Sequence, residues 1–186
     1  NERRLAILNR VAQTISDTLD LDTVLNNAID NVLDVMQADG CTVYIANEER
    51  TELHLAASRG LPEHVLSDVK RFQFGEDYNG KVAATGQPLY VENGAADLRP
   101  ARSLIRQSGV GSLLIVPLAT KQQVNGTLCI TMFRHRVFTP SETDLLTTIG
   151  NQIGVAVENA HLYQQQQSVT QQLRLSEERY RGIFEN

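Results

Sequence analysis

Ser112-Leu113-Leu114-Ile115-Val116-Pro117-Leu118, then Lys121-Gln122-Gln123, then Val124-Asn125-Gly126-Thr127-Leu128-Cys129-Ile130-Thr131-Met132-Phe133. The first run is almost wholly apolar, as a central strand covered on both faces must be. The last run alternates Leu128, Ile130 and Met132 with Thr127, Cys129 and Thr131. That period of two sends successive side chains to opposite faces of a sheet. With the polar turn between them, the two runs read as paired strands.

Downstream, Thr139-Pro140-Ser141-Glu142 opens a helix with Thr at the N-cap, Pro at the first position and Glu at the third, a capping box. No helix breaker follows until about Glu178, so the spacing predicts a helix far longer than the domain needs. Such a helix is a lever, and it points to signal transmission rather than catalysis. Leu146, Ile149, Ile153, Ala156, Ala160 and Tyr163 keep 3-4 spacing and are expected to form a dimer seam, with small Ala156 and Ala160 allowing close approach. A second set, Leu162, Val169, Leu173 and Tyr180, follows in shifted phase, and the polar run 164–167 interrupts the seam.

Upstream, residues 2–19 read as an amphipathic helix with a narrow seam of Leu5, Leu8, Ala12, Ile15 and Leu19, suited to a partner helix. Asp20 and Thr23 can cap a second helix that turns Leu25, Ala28, Ile29, Val32, Leu33 and Met36 inward and ends at Gly40. Residues 41–47 and 52–58 read as a hairpin. Pro62 starts a short helix, 75–80 is a loop, 80–85 is a turn or two of helix stopped by Gly86, and 88–91 is a short strand. Residues 93–109 make a polar excursion with a short helix near 101–107. The predicted order, α-α-β-β-α-α-β-α-β-β-α, is an α+β sandwich: a mostly antiparallel sheet flanked by helices.

The 186 residues carry a net charge of −5, with basic residues scattered. That argues against a nucleic-acid partner or an anionic membrane surface. No apolar stretch approaches the length of a membrane span, and no signal peptide is visible. A cytoplasmic location is expected. The missing initiator Met suggests an excised piece, so a membrane anchor could lie elsewhere in a parent protein. Cys41 and Cys129 form no CxxC and are too few for a zinc site. They read as buried strand residues in a reducing compartment.

The ordered blocks resemble the GAF domain family over roughly residues 5–163. Residues 21–45 are similar to its helix and first strand, and 53–60 to its second strand with the closing glycine. Residues 74–89 are similar to its most recognisable block, and 112–118, 126–128 and 138–142 complete the set. The resemblance implies a GAF-like, PAS-related sheet of about five to six strands, with long N- and C-terminal helices. It divides the chain into a dimerisation helix (1–20), the GAF domain (21–163), a helical linker (164–176) and, at 177–186, a segment similar to the opening of a PAS domain. A sensor histidine kinase of a two-component system is the implied parent, a cyclic-di-GMP enzyme the alternative, with the catalytic part outside this chain. The fragment itself is expected not to be an enzyme.

The resemblance further implies a small-molecule cavity between the sheet and a lid at 61–109. Tyr44, His64, Phe72, Phe74, Tyr78, Asn79 and Tyr90 are the expected lining, and Arg99, Arg102 and Arg106 could receive an anion. No cofactor is expected. The Asn-Lys signature of cyclic-nucleotide binders is absent, and neither cysteine is followed by the histidine common in bilin binders. His64 alone could ligate haem, and two cysteines do not hold an iron–sulfur cluster. His161 lacks the acidic residue and the later proline of a phospho-accepting histidine. Two other readings stand beside the sensor: a structural dimerisation spacer with a collapsed pocket, and a GAF-fold methionine sulfoxide reductase, which would need exposed, low-pKa cysteines. Unknown ligand, homodimer and downstream output domains are the expected partners.

Overall fold

The alternation of the 124–133 run is realised in a six-stranded antiparallel sheet of order β3-β2-β1-β6-β5-β4. The computed structural model describes residues 20–97 and 108–184. In chain order the elements are α1 (Leu21–Met36), β1 (Gly40–Ala46), β2 (Glu52–Arg59), α2 (Glu63–Asp68), β3 (Arg71–Gln73), α3 (Asp77–Thr85), β4 (Leu89–Val91), β5 (Ser112–Ala119), β6 (Val124–Met132) and α4 (Pro140–Phe184). The expected α+β class and strand count hold. The expected helices at 2–19 and near 101–107 lie outside the described residues.

One face of the central strands is a dry core. Val43, Leu114, Val116, Leu118, Leu128, Ile130 and Met132 meet Leu25, Ile29 and Val32 of α1 and Leu146, Ile149 and Ile153 of α4. Each such side chain contributes about 1.5–3 kcal/mol when fully buried. The opposite face lies under α2 and α3, and β3 extends the sheet beside β2.

The sequence's caps are partly corrected. Thr139 and Glu142 form the expected capping box: Glu142 N–H donates to Thr139 Oγ1 at 3.2 Å, and Thr139 N–H donates to Glu142 Oε2 at 2.8 Å. Gly40, however, does not end α1. Gln37 takes the left-handed conformation there, with φ of 49°, and Gly40 begins β1. Pro62 is the N-cap of α2 rather than its first turn. The loop expected at 75–80 is shorter, because α3 starts at Asp77. Strand β3 was missed: three residues carry too little period to read, and pairing with β2 makes them a strand. Helix α4 passes the expected end near Glu178 and continues to Phe184.

Arg136 ties the helices together. It donates to the carbonyl of Met36 at the end of α1, and to Glu142 in the first turn of α4 at 2.5 Å. The last turn of α1 therefore lies beside the first turn of α4. At the far end of the sheet, Asn125 Nδ2 donates to the carbonyl of Gly154 at 3.3 Å.

Candidate functional site

On the lid face, strands β1, β5 and β6 present Thr42 and Tyr44, Leu113 and Ile115, and Thr127, Cys129 and Thr131. A cavity of about 60 Å³ lies over this surface. Its roof is Leu61, Val65, Val69 and Val110, and its walls include Phe72 and Tyr78. Tyr44 and Phe72 meet edge to face, ring centroids 5.3 Å apart. The polar lining is Thr42, Thr131, Cys129, Asn79 and Ser108.

The polar groups are organised. Thr127 Oγ1 donates to Asn79 Oδ1 at 2.9 Å, both side chains buried. Burial pushes the Cys129 thiol up to about 12, against a smaller opposing effect of the neighbouring Thr131 and Thr42 hydroxyls, and its Sγ–H points to the Ile130 carbonyl at 3.8 Å. Burial likewise raises Cys41 well above its ordinary value. Both thiols are free, neutral and buried on strands, as the sequence predicts. They lack the electropositive, accessible surroundings that a redox nucleophile needs.

Of the residues expected to line a pocket, Tyr44, Phe72, Tyr78 and Asn79 are brought together. Tyr90 is not among them. Alternation along β4 turns it to the other face, where its hydroxyl donates to the Arg136 carbonyl at 2.9 Å and its ring meets Phe138 edge to face. His64 is exposed on α2 and is not among the residues that line the cavity. Phe74 is partly buried against the cluster of Tyr44, Leu53 and Phe72, outside the lining. Arg99, Arg102 and Arg106 lie outside the described residues. Sequence reading missed Thr42, Cys129 and Thr131 as lining. The signal was present: on a strand buried on both faces, a run of polar side chains on one face is unusual and calls for partners.

The dimer seam is corrected too. Leu146, Ile149, Ile153 and Ala156 are at most 9% exposed and face the chain's own sheet. Only Ala160, half-buried, and Tyr163, 42% exposed, reach outward. The same 3-4 spacing serves a helix packed on a sheet and a helix packed on a partner. Leu5, Leu8, Ala12, Ile15 and Leu19 lie outside the described residues. A different row of α4 is open: Val155, Leu162, Val169, Leu173, Tyr180 and Ile183, each at least 47% exposed. Val155, Leu162, Val169 and Ile183 fall on one heptad position, and Leu173 and Tyr180 on the other apolar one. Asn159 and Gln166 complete the latter position.

Where α4 leaves the sheet, the hairpin tips hold it. Gln123 Nε2 donates to Glu158 Oε1 at 3.0 Å, and Arg50 Nη2 reaches Asn125 Oδ1 at 3.4 Å. An open groove of about 690 Å³ lies there, between the tips and Leu162, Gln165 and Val169. Among the described residues, no cluster of three or more His, Cys, Asp or Glu could hold a metal, and no helix is long and apolar enough to cross a membrane.

An antiparallel sheet backed by two helices, with a small lidded cavity on its other face and a helix projecting from its end, is the architecture of a regulatory module. The family model of the GAF domain matches residues 20–157, and the chain belongs to that family. A protein of Caenorhabditis elegans described as a 3',5'-cyclic phosphodiesterase, pde-5, is 24% identical over 99% of the chain. The chain spans only 26% of that relative's length. Among solved structures, the GAF domain of an Acinetobacter phosphoenolpyruvate-protein phosphotransferase superposes with a TM-score of 0.74. It is 24% identical, covering 88% of this chain and 98% of that one. A domain described as part of a two-component sensor histidine kinase protein of Sinorhizobium meliloti gives a TM-score of 0.62 at 23% identity, over 76% and 93% of the two chains.

Proposed function

We propose that this chain is a non-catalytic sensory module that couples occupancy of the lid-face cavity to the arrangement of α4 in a homodimer. The observation that carries this reading is the division of α4. Its first turns are core, and from Leu162 to Phe184 it is exposed. At 1.5 Å per residue, 45 residues make a rod of about 68 Å, much longer than the sheet it packs on. An exposed helix of this composition gains little stability from itself, and most helical stability comes from packing an apolar face. The open row from Val155 to Ile183 supplies such a face for a second copy. A parallel, in-register pair places Asn159 against its counterpart, a pairing that fixes register in coiled coils.

Strand β6 supports the coupling. It carries the cavity floor at Cys129 and Thr131 and, near its start, Asn125, which bonds a buried turn of α4. A ligand that binds one arrangement of this strand better than another shifts α4 by its differential affinity. The similarity to a sensor histidine kinase domain and the PAS-like residues 177–186 support an output of that class downstream, in a soluble cytoplasmic portion of the parent. Sedimentation equilibrium tests the dimer: the native chain is expected to associate in the micromolar range, and Leu173→Glu to remain monomeric with unchanged thermal unfolding. A monomeric native chain at high micromolar concentration contradicts the reading.

A further inference from the structure

The open groove beside α4 has the hairpin tips on one side and the helix on the other. Arg50 comes from the β1–β2 tip and Gln123 from the β5–β6 tip, and Glu158, Leu162, Gln165 and Val169 belong to the helix wall. Leu162 and Val169 are also part of the exposed apolar row of α4, so the groove and the row are one continuous surface. We infer that a second copy of this chain completes the groove, with the partner's Tyr163 seated beside Glu158 and bonded to its carboxylate. This inference rests on the parallel dimer proposed above and adds a contact between each sheet and the other copy's helix.

The heptad positions decide which residues meet. With Asn159, Gln166 and Leu173 at a, and Leu162 and Val169 at d, Glu158 and Gln165 take g while Tyr163 and Thr170 take e. In a parallel, in-register pair each g residue lies beside the next e residue of the partner. Glu158 therefore faces the partner's Tyr163, and Gln165 faces the partner's Thr170. Glu158 and Gln165 both line the groove, which thus opens on the side where the partner's e residues emerge. The chemistry of the first pair is complementary. Tyr163 is 42% exposed, and its phenol oxygen accepts from Gln167 Nε2 at 2.7 Å, which leaves the hydroxyl proton to donate. Glu158 Oε1 accepts from Gln123 Nε2 at 3.0 Å, and a carboxylate has a second oxygen for a further donor. Knobs-into-holes packing brings the same ring against Leu162, which is 58% exposed in the single chain. A displacement of the β5–β6 hairpin then acts on both helices of the pair: on its own α4 through Asn125, and on the other through Gln123 and Glu158.

Site-selective cross-linking tests the contact. Chains carrying Glu158→Cys and chains carrying Tyr163→Cys are mixed, allowed to exchange and treated with a short bismaleimide; Cys41 and Cys129 are buried and stay unreactive in the folded chain. Cross-linked dimer is expected from the mixture and not from either chain alone, because two g positions, or two e positions, lie on opposite flanks of the pair. Gln166→Cys, at an a position on the seam, reports the dimer by itself. Cross-linking at Gln166→Cys with none in the mixture overturns the inference and leaves the dimer standing, the result expected if another segment of the same chain fills the groove. No cross-linking in any of these overturns both. A second measurement needs no label. In sedimentation, Tyr163→Phe is expected to raise the dimer Kd about tenfold, since two symmetric bonds to a charged group are lost. With Glu158→Ala already present, the same change is expected to raise it less than about twofold. Equal effects in the two backgrounds overturn the inference.

Discussion

At the scale of single residues, Gly150 and Gly154 set how closely α4 approaches the sheet. A Cβ on Gly154 would lie 2.7 Å from the Leu118 carbonyl carbon, and one on Gly150 would lie 2.8 Å from the Pro117 oxygen. Helix propensity alone favours Ala over Gly by about 1 kcal/mol. Here the backbone of β5 cannot yield, so Gly154→Ala is expected to destabilise by about 1–3 kcal/mol in denaturant unfolding. A neutral or stabilising effect would show that α4 packs less closely than described. The two cysteines make a second residue-scale expectation. Thiol alkylation of the folded chain at neutral pH should be slow at both sites and complete after denaturation, since burial holds both as protonated thiols. Residue types were legible at this scale and contacts were not. Small residues in the long helix were noticed at Ala156 and Ala160, yet the close approach falls on Gly150 and Gly154. Nothing in a list of small residues says which row faces the sheet.

At the scale of elements, period and capping were the legible signals. The two central strands, the β1–β2 hairpin and the capping box all follow from local pattern. Strand β3 and the true start of α3 did not: β3 is created by its pairing with β2, and the start of α3 goes with a local turn in which the Gly75 N–H donates to the Gly80 carbonyl. The phase of α4 shows the same limit. A 3-4 row marks a buried stripe without naming what buries it. The structure resolves this, and a pair of substitutions tests it. Leu146→Ala should cost about 2–5 kcal/mol of folding stability. Leu173→Ala should change it by no more than about 0.5 kcal/mol, yet weaken association. The N-terminus of α4 adds a pH dependence. Burial alone would raise the Glu142 carboxyl, but the Thr139 backbone N–H, the charge of Arg136 and the Thr139 hydroxyl outweigh it and hold the group below its ordinary 4.5. Its contribution is complete above that ordinary value and is lost as pH falls through the depressed one. Thermal unfolding followed from neutral pH to about pH 3 should therefore show a smaller acid loss in Glu142→Gln than in the native chain.

At the scale of the whole molecule, the proposed sensing and transmission sit at opposite sides of one sheet. The cavity lies on the lid face, and the lever is anchored on the other face and leaves at one end. The strands between them are shared, so a change in β6 reaches both. The sequence disclosed the lever, the α+β class and part of the cavity through Tyr44, Phe72, Tyr78 and Asn79. It misplaced Tyr90, His64 and the dimer face, whose positions depend on which side of a strand or helix meets the core. In the proposed dimer the open row of α4 pairs in parallel with a second copy. Electron–electron distances between spin labels test it most directly. The native thiols are buried, so labels can be placed selectively at Gln164→Cys or at Glu178→Cys, both on the outer side of that row. A parallel, in-register pair predicts short interlabel distances that match at the two positions, since the helix axes stay about 10 Å apart along the row. Absence of any intermolecular distance, or short distances at one position and long ones at the other, would contradict it.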